Sequence, residues 1–183
     1  MVDIFHTYVR RTSFARLTPL TKEFTGITQQ QADTAPCFQE AAALFHSWLG
    51  TKPYYLCSWG PDDKHQMLRQ GKQQRLDLSW FRNYNDIQLL FTRLNGGDHG
   101  QRWGLKRALS QLGINFLGRQ HHALDDAFNT AKLFAMIFSR IQLEENHVSD
   151  EPLHVSKLVY SDDDGEDQVS PFDKLAGLFT AAQ

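Results

Sequence analysis

Apolar residues return at helical spacing in the stretch that follows Gly118. The positions of this pattern are Ala123, Ala127, Thr130, Ala131, Phe134, Ala135 and Phe138. Intervals of three and four residues predict a helix whose apolar face contains these positions. Asp125 and Asp126 fall in its first turn, where the positive end of the helix dipole favours carboxylates. The residues just before the helix, including His121 and His122, are predicted to form a loop.

Helical spacing and capping residues predict further helices upstream. Their ranges are Pro19 to Thr25, a short turn after Thr28, Phe38–Leu49, residues 63–70, about 87–94, and 105–112. The expected amino-terminal caps are Thr18, Thr28, Asp62 and either Asn85 or Asp86, and Gly26 and Gly50 are expected to end two of the helices. The apolar side of the predicted helix Phe38–Leu49 contains Phe38, Ala41, Ala42, Phe45 and Trp48.

Three segments have the pattern of strands. Asp3–Val9 alternates and predicts a strand, and Ile114–Leu117 predicts a short final one. Residues 54–59 are almost continuously apolar and aromatic, as in a buried parallel strand. This last segment is followed by Asp62 and Asp63. Ligands of open α/β sheets gather beyond the carboxyl ends of the strands, so one of these two acids is a candidate site residue.

The composition predicts one globular domain with an acidic tail. Residues 1–142 hold 17 Lys and Arg against 11 Asp and Glu, whereas residues 143–183 hold 2 against 10 and are expected to be disordered. A basic body is compatible with nucleic acid, although its cationic residues are spread along the chain. Cys37 and Cys57 have no spacing typical of zinc or disulfide frameworks, which favours a reducing, cytoplasmic setting. No segment predicts secretion or a membrane span.

The paired histidines and carboxylates allow two interpretations. On one continuous helix His121 and Asp126 would point in different directions, so they can converge only if His121 lies in the loop. An imidazole there could act as a base beside a carboxylate that binds a metal ion, since histidine exchanges protons near neutral pH. Alternatively, Asp125 and Asp126 are first-turn charges and both histidines are solvated.

The segment His121-x-Ala123-x-x-Asp126, preceded by Gly118-Arg119 and followed by Asn129-x-Ala131-Lys132, resembles the third motif of the DEDDh 3′→5′ exonucleases. The likeness is to the branch with the eri-type and sporulation-inhibitor exonucleases. Matching segments occur upstream in the same order, namely Phe5-His6-Thr7-Tyr8-Val9-Arg10, Leu17-Thr18-Pro19-Leu20, Thr25-Gly26-Ile27-Thr28-Gln29, Ala35-Pro36, Ser58-Trp59-Gly60-x-x-Asp63 and Gly104-Leu105-Lys106-x-Ala108-Leu109. The resemblance covers residues 2–141.

The resemblance implies an α/β domain of ribonuclease-H-like type, with a mixed sheet flanked by helices, over residues 1–142. It implies hydrolysis of the terminal phosphodiester at the 3′ end of a single-stranded nucleic acid, RNA more than DNA, with release of nucleoside 5′-monophosphates. Two Mg²⁺ or Mn²⁺ ions would stabilise the attacking and leaving oxygens. His121 would be the general base. Asp126 and Asp63 would be metal ligands, with Asp62 as the alternative to Asp63.

The resemblance also implies substrate contacts. The segment Thr25-Gly26-Ile27 occupies the region where relatives meet the terminal nucleotide, and Arg119 could contact a phosphate. The alternatives are ordinary structural roles, with a helix stop followed by a core isoleucine in the first case and a surface arginine in the second. The sequence gives no indication of a protein partner.

One part of the family pattern has no match. The family's first, central strand carries an Asp-x-Glu pair that binds both ions, and Asp3 lies on the wrong strand to replace it. The fold is therefore expected to be truncated at its amino end, and the isolated chain to have little or no nuclease activity. Either the sequence begins too late within an active exonuclease, or the chain is a non-catalytic module that binds nucleic acid or a protein.

Overall fold

A computed structural model describes residues 3–12, 16–97 and 102–148 of the chain. Its elements in order are α1 (Pro19–Thr25), α2 (Gln29–Thr34), α3 (Phe38–Leu49), β1 (Leu56–Ser58), α4 (Asp62–Gln73), β2 (Tyr84–Asp86), α5 (Ile87–Leu94), α6 (Leu105–Gln111) and α7 (Ala123–Ile137). A 3₁₀ turn over Phe138–Arg140 follows α7. Within the described ranges, none of the helices combines the length and apolar character that crossing a bilayer requires.

The helix ends follow the local capping residues. The Thr18 hydroxyl accepts a hydrogen bond from the Thr21 N–H at the start of α1, and Gly26 ends this helix in a left-handed conformation at φ +74°. Thr28 and Gln31 form a capping box on α2. These predictions are confirmed. The prediction for α4 is wrong, because Pro61 occupies the cap position and Asp62 lies in the first turn.

The sheet of the described structure contains two parallel strands, with Leu56 opposite Tyr84 and Ser58 opposite Asp86. β1 confirms the predicted buried strand in shortened form. The sequence analysis missed β2, because Asp86 also caps α5 by accepting a hydrogen bond from the Leu89 N–H, and this segment has the pattern of a helix start.

Two predicted strands are absent from the described structure. Asp3–Val9 has an extended course without a ladder, and Phe5 packs on α3 through Phe45 and Trp48 at centroid distances of 5.6 and 5.8 Å. Ile4 and Val9 of this pattern are exposed, so in the described structure only Phe5 of the segment's apolar residues is seen to pack on α3. The segment Ile114–Leu117 is also no strand, since its Leu117 backbone is held by a side chain of α7.

Apolar side chains form two buried clusters on either side of the strands. The first lies among α3, α4, β1 and the segment before β2, and contains Ala42, Leu56, Leu68, Leu78, Trp80, Phe81, Tyr84 and Val148. The second joins α5, α6 and α7 through Ile87, Phe91, Ala108, Leu109, Leu133 and Ile137. All six residues of the second cluster are almost fully buried, so α7 is firmly anchored behind the candidate site.

The buried face of α7 agrees with the predicted one in part, since Thr130 is buried and Phe134 packs against the second cluster as predicted. Asn129, Thr130, Leu133 and Ile137 face the interior, whereas Ala127, Ala131, Ala135 and Phe138 are exposed, Phe138 by 57%. Both stripes repeat at helical spacing, so periodicity alone could not decide between them. Leu133 and Ile137 belong to the second cluster, and Phe134 packs against it.

The last described residues lie against the domain. Asn146 exchanges side-chain hydrogen bonds with the Tyr84 backbone at 2.9 Å, and Asn85 does the same with Glu144. Val148 is 1% exposed. The domain limit drawn at residue 142 stays a prediction, since residues 149–183 lie outside the described part, but residues 143–148 clearly pack on β2.

Candidate active site

The loop before α7 is fixed from the helix itself. Asn129, which is fully buried, accepts a hydrogen bond from the Leu117 N–H at 3.0 Å and donates to the Leu117 carbonyl at 2.7 Å and to the Asp125 carbonyl at 2.8 Å. The Asp125 carboxylate accepts from the Arg119 N–H at 3.0 Å. Both ends of the loop are therefore tied to α7, which makes its position well defined.

Gly118 is required where the loop turns. Its φ is +85°, and a Cβ atom at this position would lie 2.4 Å from Asp125 Cγ. His122 occupies the cap position of α7, with Nδ1 3.1 Å from Asp125 Oδ2 but off the direction that a hydrogen bond needs. The contact is thus an ion pair only when this imidazole is protonated.

His121 lies in the loop, outside α7, as the sequence predicts for a histidine that approaches Asp126. It adopts a left-handed conformation at φ +64°, a cost of about 1–2 kcal/mol for a residue with a side chain. Its exposed imidazole stacks on Phe24 of α1, with ring centroids 4.2 Å apart. The backbone strain and the stacking direct the imidazole toward α1 and the entrance of the candidate site.

Asp126 on α7 and Asp63 on α4 interact electrostatically, since the Asp126 charge contributes to the raised pKa of Asp63. Loss of hydration raises the pKa of Asp126, and the neighbouring Asp125 charge raises it further, while the charge and backbone hydrogen bond of His121 act in the opposite direction. Asp63 is exposed as a residue, but protein atoms surround its carboxyl group. Loss of hydration there raises its pKa, and the charges of Asp62 and Asp126 add to the rise. The repulsion between the two carboxylates is the smallest of these three contributions to the pKa of Asp63.

A divalent cation would relieve this repulsion, and carboxylate oxygens are the donors that Mg²⁺ takes. Two carboxylates are nevertheless few for a centre of two ions. Within residues 3–12, 16–97 and 102–148, no group of three or more His, Cys, Asp or Glu side chains is placed to hold a metal ion. The described residues therefore do not by themselves fit the two-ion centre.

The predicted substrate residues lie beside the loop. Arg119 Nη2 donates to the Phe24 carbonyl at 3.3 Å, and a Cβ atom on Gly26 would come within 3.0 Å of Arg119 Nη1. The Thr25 hydroxyl donates to the Thr21 carbonyl and accepts from the Ile27 N–H. The turn at the end of α1 is thereby brought to the face that carries Arg119 and His121.

Sequence analysis did not identify three residues that shape this site. Phe24 was unremarkable in the pattern of α1, yet it contacts both His121 and Arg119. Asn129 was part of the motif, but its position on the buried face was not predicted. Tyr84 donates to the Gly60 carbonyl at 2.7 Å and contacts Ser58, which fixes the turn between β1 and α4 that presents Asp63.

The arrangement is that of a ribonuclease-H-like exonuclease domain, and the comparisons agree. Residues 1–134 match the RNase_T family, described as exonuclease. The nuclease domain of 3′hExo, solved as a DEDDh family member bound to rAMP, superposes with a TM-score of 0.69 at 27% identity, covering 79% of this chain and 76% of that chain. The predicted fold class is therefore confirmed.

The family follows from these matches. The chain belongs to the DEDDh 3′→5′ exonuclease family, whose members generally depend on divalent metal ions. ERI1 exoribonuclease 2 of Xenopus laevis is 30% identical to it, covering 70% of this chain and 22% of that protein. The probable 3′-5′ exonuclease KapD of Bacillus subtilis is 27% identical, covering 75% of this chain and 66% of that protein. The chain thus spans only part of each relative.

Proposed function

We propose that this chain is the nuclease portion of a 3′→5′ exonuclease that releases nucleoside 5′-monophosphates from single-stranded RNA. The observation that carries the proposal is the electrostatic interaction of Asp63 with Asp126, from helices far apart in sequence, and of Asp126 with His121, whose imidazole is exposed in the loop. Titratable groups that perturb one another in this way are typical of functional sites. RNA is favoured over DNA because similar proteins are named exoribonucleases.

In this proposal His121 is the general base. Its loop position leaves the imidazole exposed, and stacking on Phe24 holds the ring at a fixed angle above the end of α1. Histidine suits the role because its ordinary titration range is close to neutral pH. In this proposal Asp126 interacts electrostatically with His121, which supports an imidazole placed beside this carboxylate.

The terminal nucleotide is assigned to the turn Thr25-Gly26-Ile27. Gly26 lies close to Arg119, since a Cβ atom on Gly26 would be 3.0 Å from Arg119 Nη1, so a phosphate bound by Arg119 would also meet this turn. The Arg119 guanidinium already donates to the Phe24 carbonyl and has further donors for an anion. Binding there would place the last phosphodiester beside His121.

Mg²⁺ or Mn²⁺ is the proposed cofactor, with Asp63 and Asp126 as ligands. Because the described carboxylates do not by themselves form a two-ion centre, the isolated chain is expected to show little or no cleavage. A reducing, cytoplasmic setting is proposed as well, since Cys37 and Cys57 are free thiols.

The same shortage of ligands favours a second candidate, in which the chain is a non-catalytic module that binds nucleic acid or a protein. The two are separated by a cleavage assay with 3′-labelled RNA in Mg²⁺ or Mn²⁺, on this chain and on a form extended upstream in frame. We expect release of labelled mononucleotide by the extended form alone, and its loss in the His121→Ala variant.

The matched control is His147→Ala, which removes an exposed histidine elsewhere and should leave cleavage unchanged. If neither form cleaves and the folded chain still binds the oligonucleotide, the binding module is the correct function. Persistent cleavage by His121→Ala would instead reject His121 as the general base. Robust cleavage by the 183-residue chain would show that its metal site is complete.

A further inference from the structure

A basic cleft lies next to the candidate site and has no role in the function proposed above. It measures about 940 Å³ and lies among α1, α2, the start of α3 and the end of α4. Its lining includes Arg10, Arg11, Arg16 and Lys22. We propose that this cleft binds the phosphates of a single-stranded RNA on the 5′ side of its terminal nucleotide, an inference that rests on the proposed function.

The charge of the cleft is strongly positive. Four cationic side chains line it, and among the described lining residues Asp33 is the one carboxylate. Asp33 accepts a hydrogen bond from Gln29 Nε2 at 2.8 Å. Gln29 is in turn held by the Leu17 N–H, which donates to its Oε1. Glu40 of α3, outside the lining, also interacts with Arg10, but the four cations still outnumber these two carboxylates. The cleft therefore attracts a polyanion, and neutralisation of phosphates supplies most sequence-independent affinity for nucleic acids.

The location of the cleft favours an RNA strand that runs continuously from the candidate site into the cleft. The Gly26 N–H donates to the Lys22 carbonyl at 2.8 Å, so the two residues are separated by one helical turn, about 5.4 Å. Lys22 lines the cleft, and Gly26 borders Arg119 at the proposed position of the 3′ end. A strand whose terminal nucleotide lies at Gly26 therefore meets the cleft within a few nucleotides.

The lining also suits a nucleic acid better than an inorganic polyanion. Phe38, half-buried at the start of α3, contributes to the wall of the cleft. Aromatic side chains bind bases of any sequence by stacking, and a positively charged groove that tracks the backbone is the usual partner of such rings. Cationic groups beside an aromatic ring thus favour single-stranded RNA over a polyphosphate chain.

The test is a binding titration of the whole chain with a 5′-labelled single-stranded RNA of about ten nucleotides, in EDTA so that cleavage does not interfere. The variant carries Arg16→Gln and Lys22→Gln, both of which change exposed residues. The matched control carries Lys106→Gln and Arg140→Gln, which remove the same charge from exposed positions outside the lining. Circular dichroism checks that both variants are folded.

Loss of two phosphate contacts should lower the slope of log affinity against log salt concentration by about 1.4, since each contact with a single strand contributes about 0.7. The affinity ratio of wild type to variant should then grow about 25-fold as the salt concentration falls tenfold. The control should change the slope much less. Equal effects of the cleft variant and the control variant on the slope would overturn the electrostatic role of the cleft. Failure of inorganic polyphosphate to displace the RNA from either variant would overturn it as well.

A second readout separates this inference from the proposed function. Binding of adenosine 5′-monophosphate probes the terminal site alone, so the cleft variant should leave it unchanged. If the extended form cleaves RNA and the cleft variant binds the longer RNA normally, the cleft proposal fails while the exonuclease function stands. If the cleft variant loses RNA binding and the extended form does not cleave, the cleft stands without the exonuclease function.

Discussion

Gly118 holds the loop before α7 in a conformation that other residues adopt only at a cost. Its φ is +85°, and the Cβ atom of an alanine would lie 2.4 Å from Asp125 Cγ and 2.6 Å from Asp125 Oδ2. The left-handed conformation costs about 1–2 kcal/mol. Displacing the Asp125 carboxylate would also break the hydrogen bond that it accepts from the Arg119 N–H, at about 0.5–1.5 kcal/mol. Gly118→Ala is therefore expected to lower the free energy of unfolding by about 1.5–3.5 kcal/mol.

The control for this substitution is Gly113→Ala. Gly113 has a similar φ of +70°, but no atom lies within 4 Å of its Cβ position, so only the backbone cost of about 1–2 kcal/mol applies. Urea denaturation followed by circular dichroism measures both variants. The difference between them isolates the collision with Asp125.

The collision can also be removed directly. In an Asp125→Ala background, Gly118→Ala should cost no more than the backbone contribution, which leaves a coupling energy of about 0.5–1.5 kcal/mol. If Gly118→Ala costs no more than Gly113→Ala and shows no coupling to Asp125, the packing of the loop on α7 is not as described, and the position of His121 would need revision.

Two more predictions concern the support and the charge of the site. Asn129→Ala removes three buried hydrogen bonds to Leu117 and Asp125 and should cost about 2–4 kcal/mol in urea denaturation; a loss below about 1 kcal/mol would show that the loop holds without this amide. The folded-state pKa of Asp63 is raised, so this group contributes stability below its unfolded-state pKa of about 3.9 and loses it as the pH rises through the folded-state value. Asp63→Asn should thus stabilise the chain at neutral pH and lose this advantage in acid, and an equal effect at both pH values would refute the raised pKa of Asp63.

The helices of this chain could be predicted from the sequence because their signals are local. Thr18 with Pro19, and Thr28 with Gln31, place the starts of α1 and α2 within a few residues of their caps. Strands depend on partners elsewhere in the chain. Asp3–Val9 alternates but has no partner strand in the described structure, and the packing of Phe5 on α3 cannot be read from the alternation itself.

The candidate site also has a part that the sequence predicts and a part that only the structure reveals. The motif resemblance identified His121, Asp126 and Asp63, and their roles stay predictions. The contacts of Phe24 with His121 and Arg119 join segments almost a hundred positions apart in the sequence, so no local pattern could reveal them. The buried face of α7 was also unpredictable, since two apolar stripes compete on one helix and tertiary packing selects between them.

The hydrogen bonds between β2 and the last described residues also affect how the domain folds. Tyr84 and Asn146 are 62 positions apart, and contacts of such long range slow folding because the intervening loop must close first. At about 5–20 residues per second, synthesis of this interval takes about 3–12 s. For that time the backbone of β2 lacks Asn146, and its polar groups are open to other strands. Chaperone capture of the nascent chain is therefore expected to end only after residues 143–148 have left the ribosome.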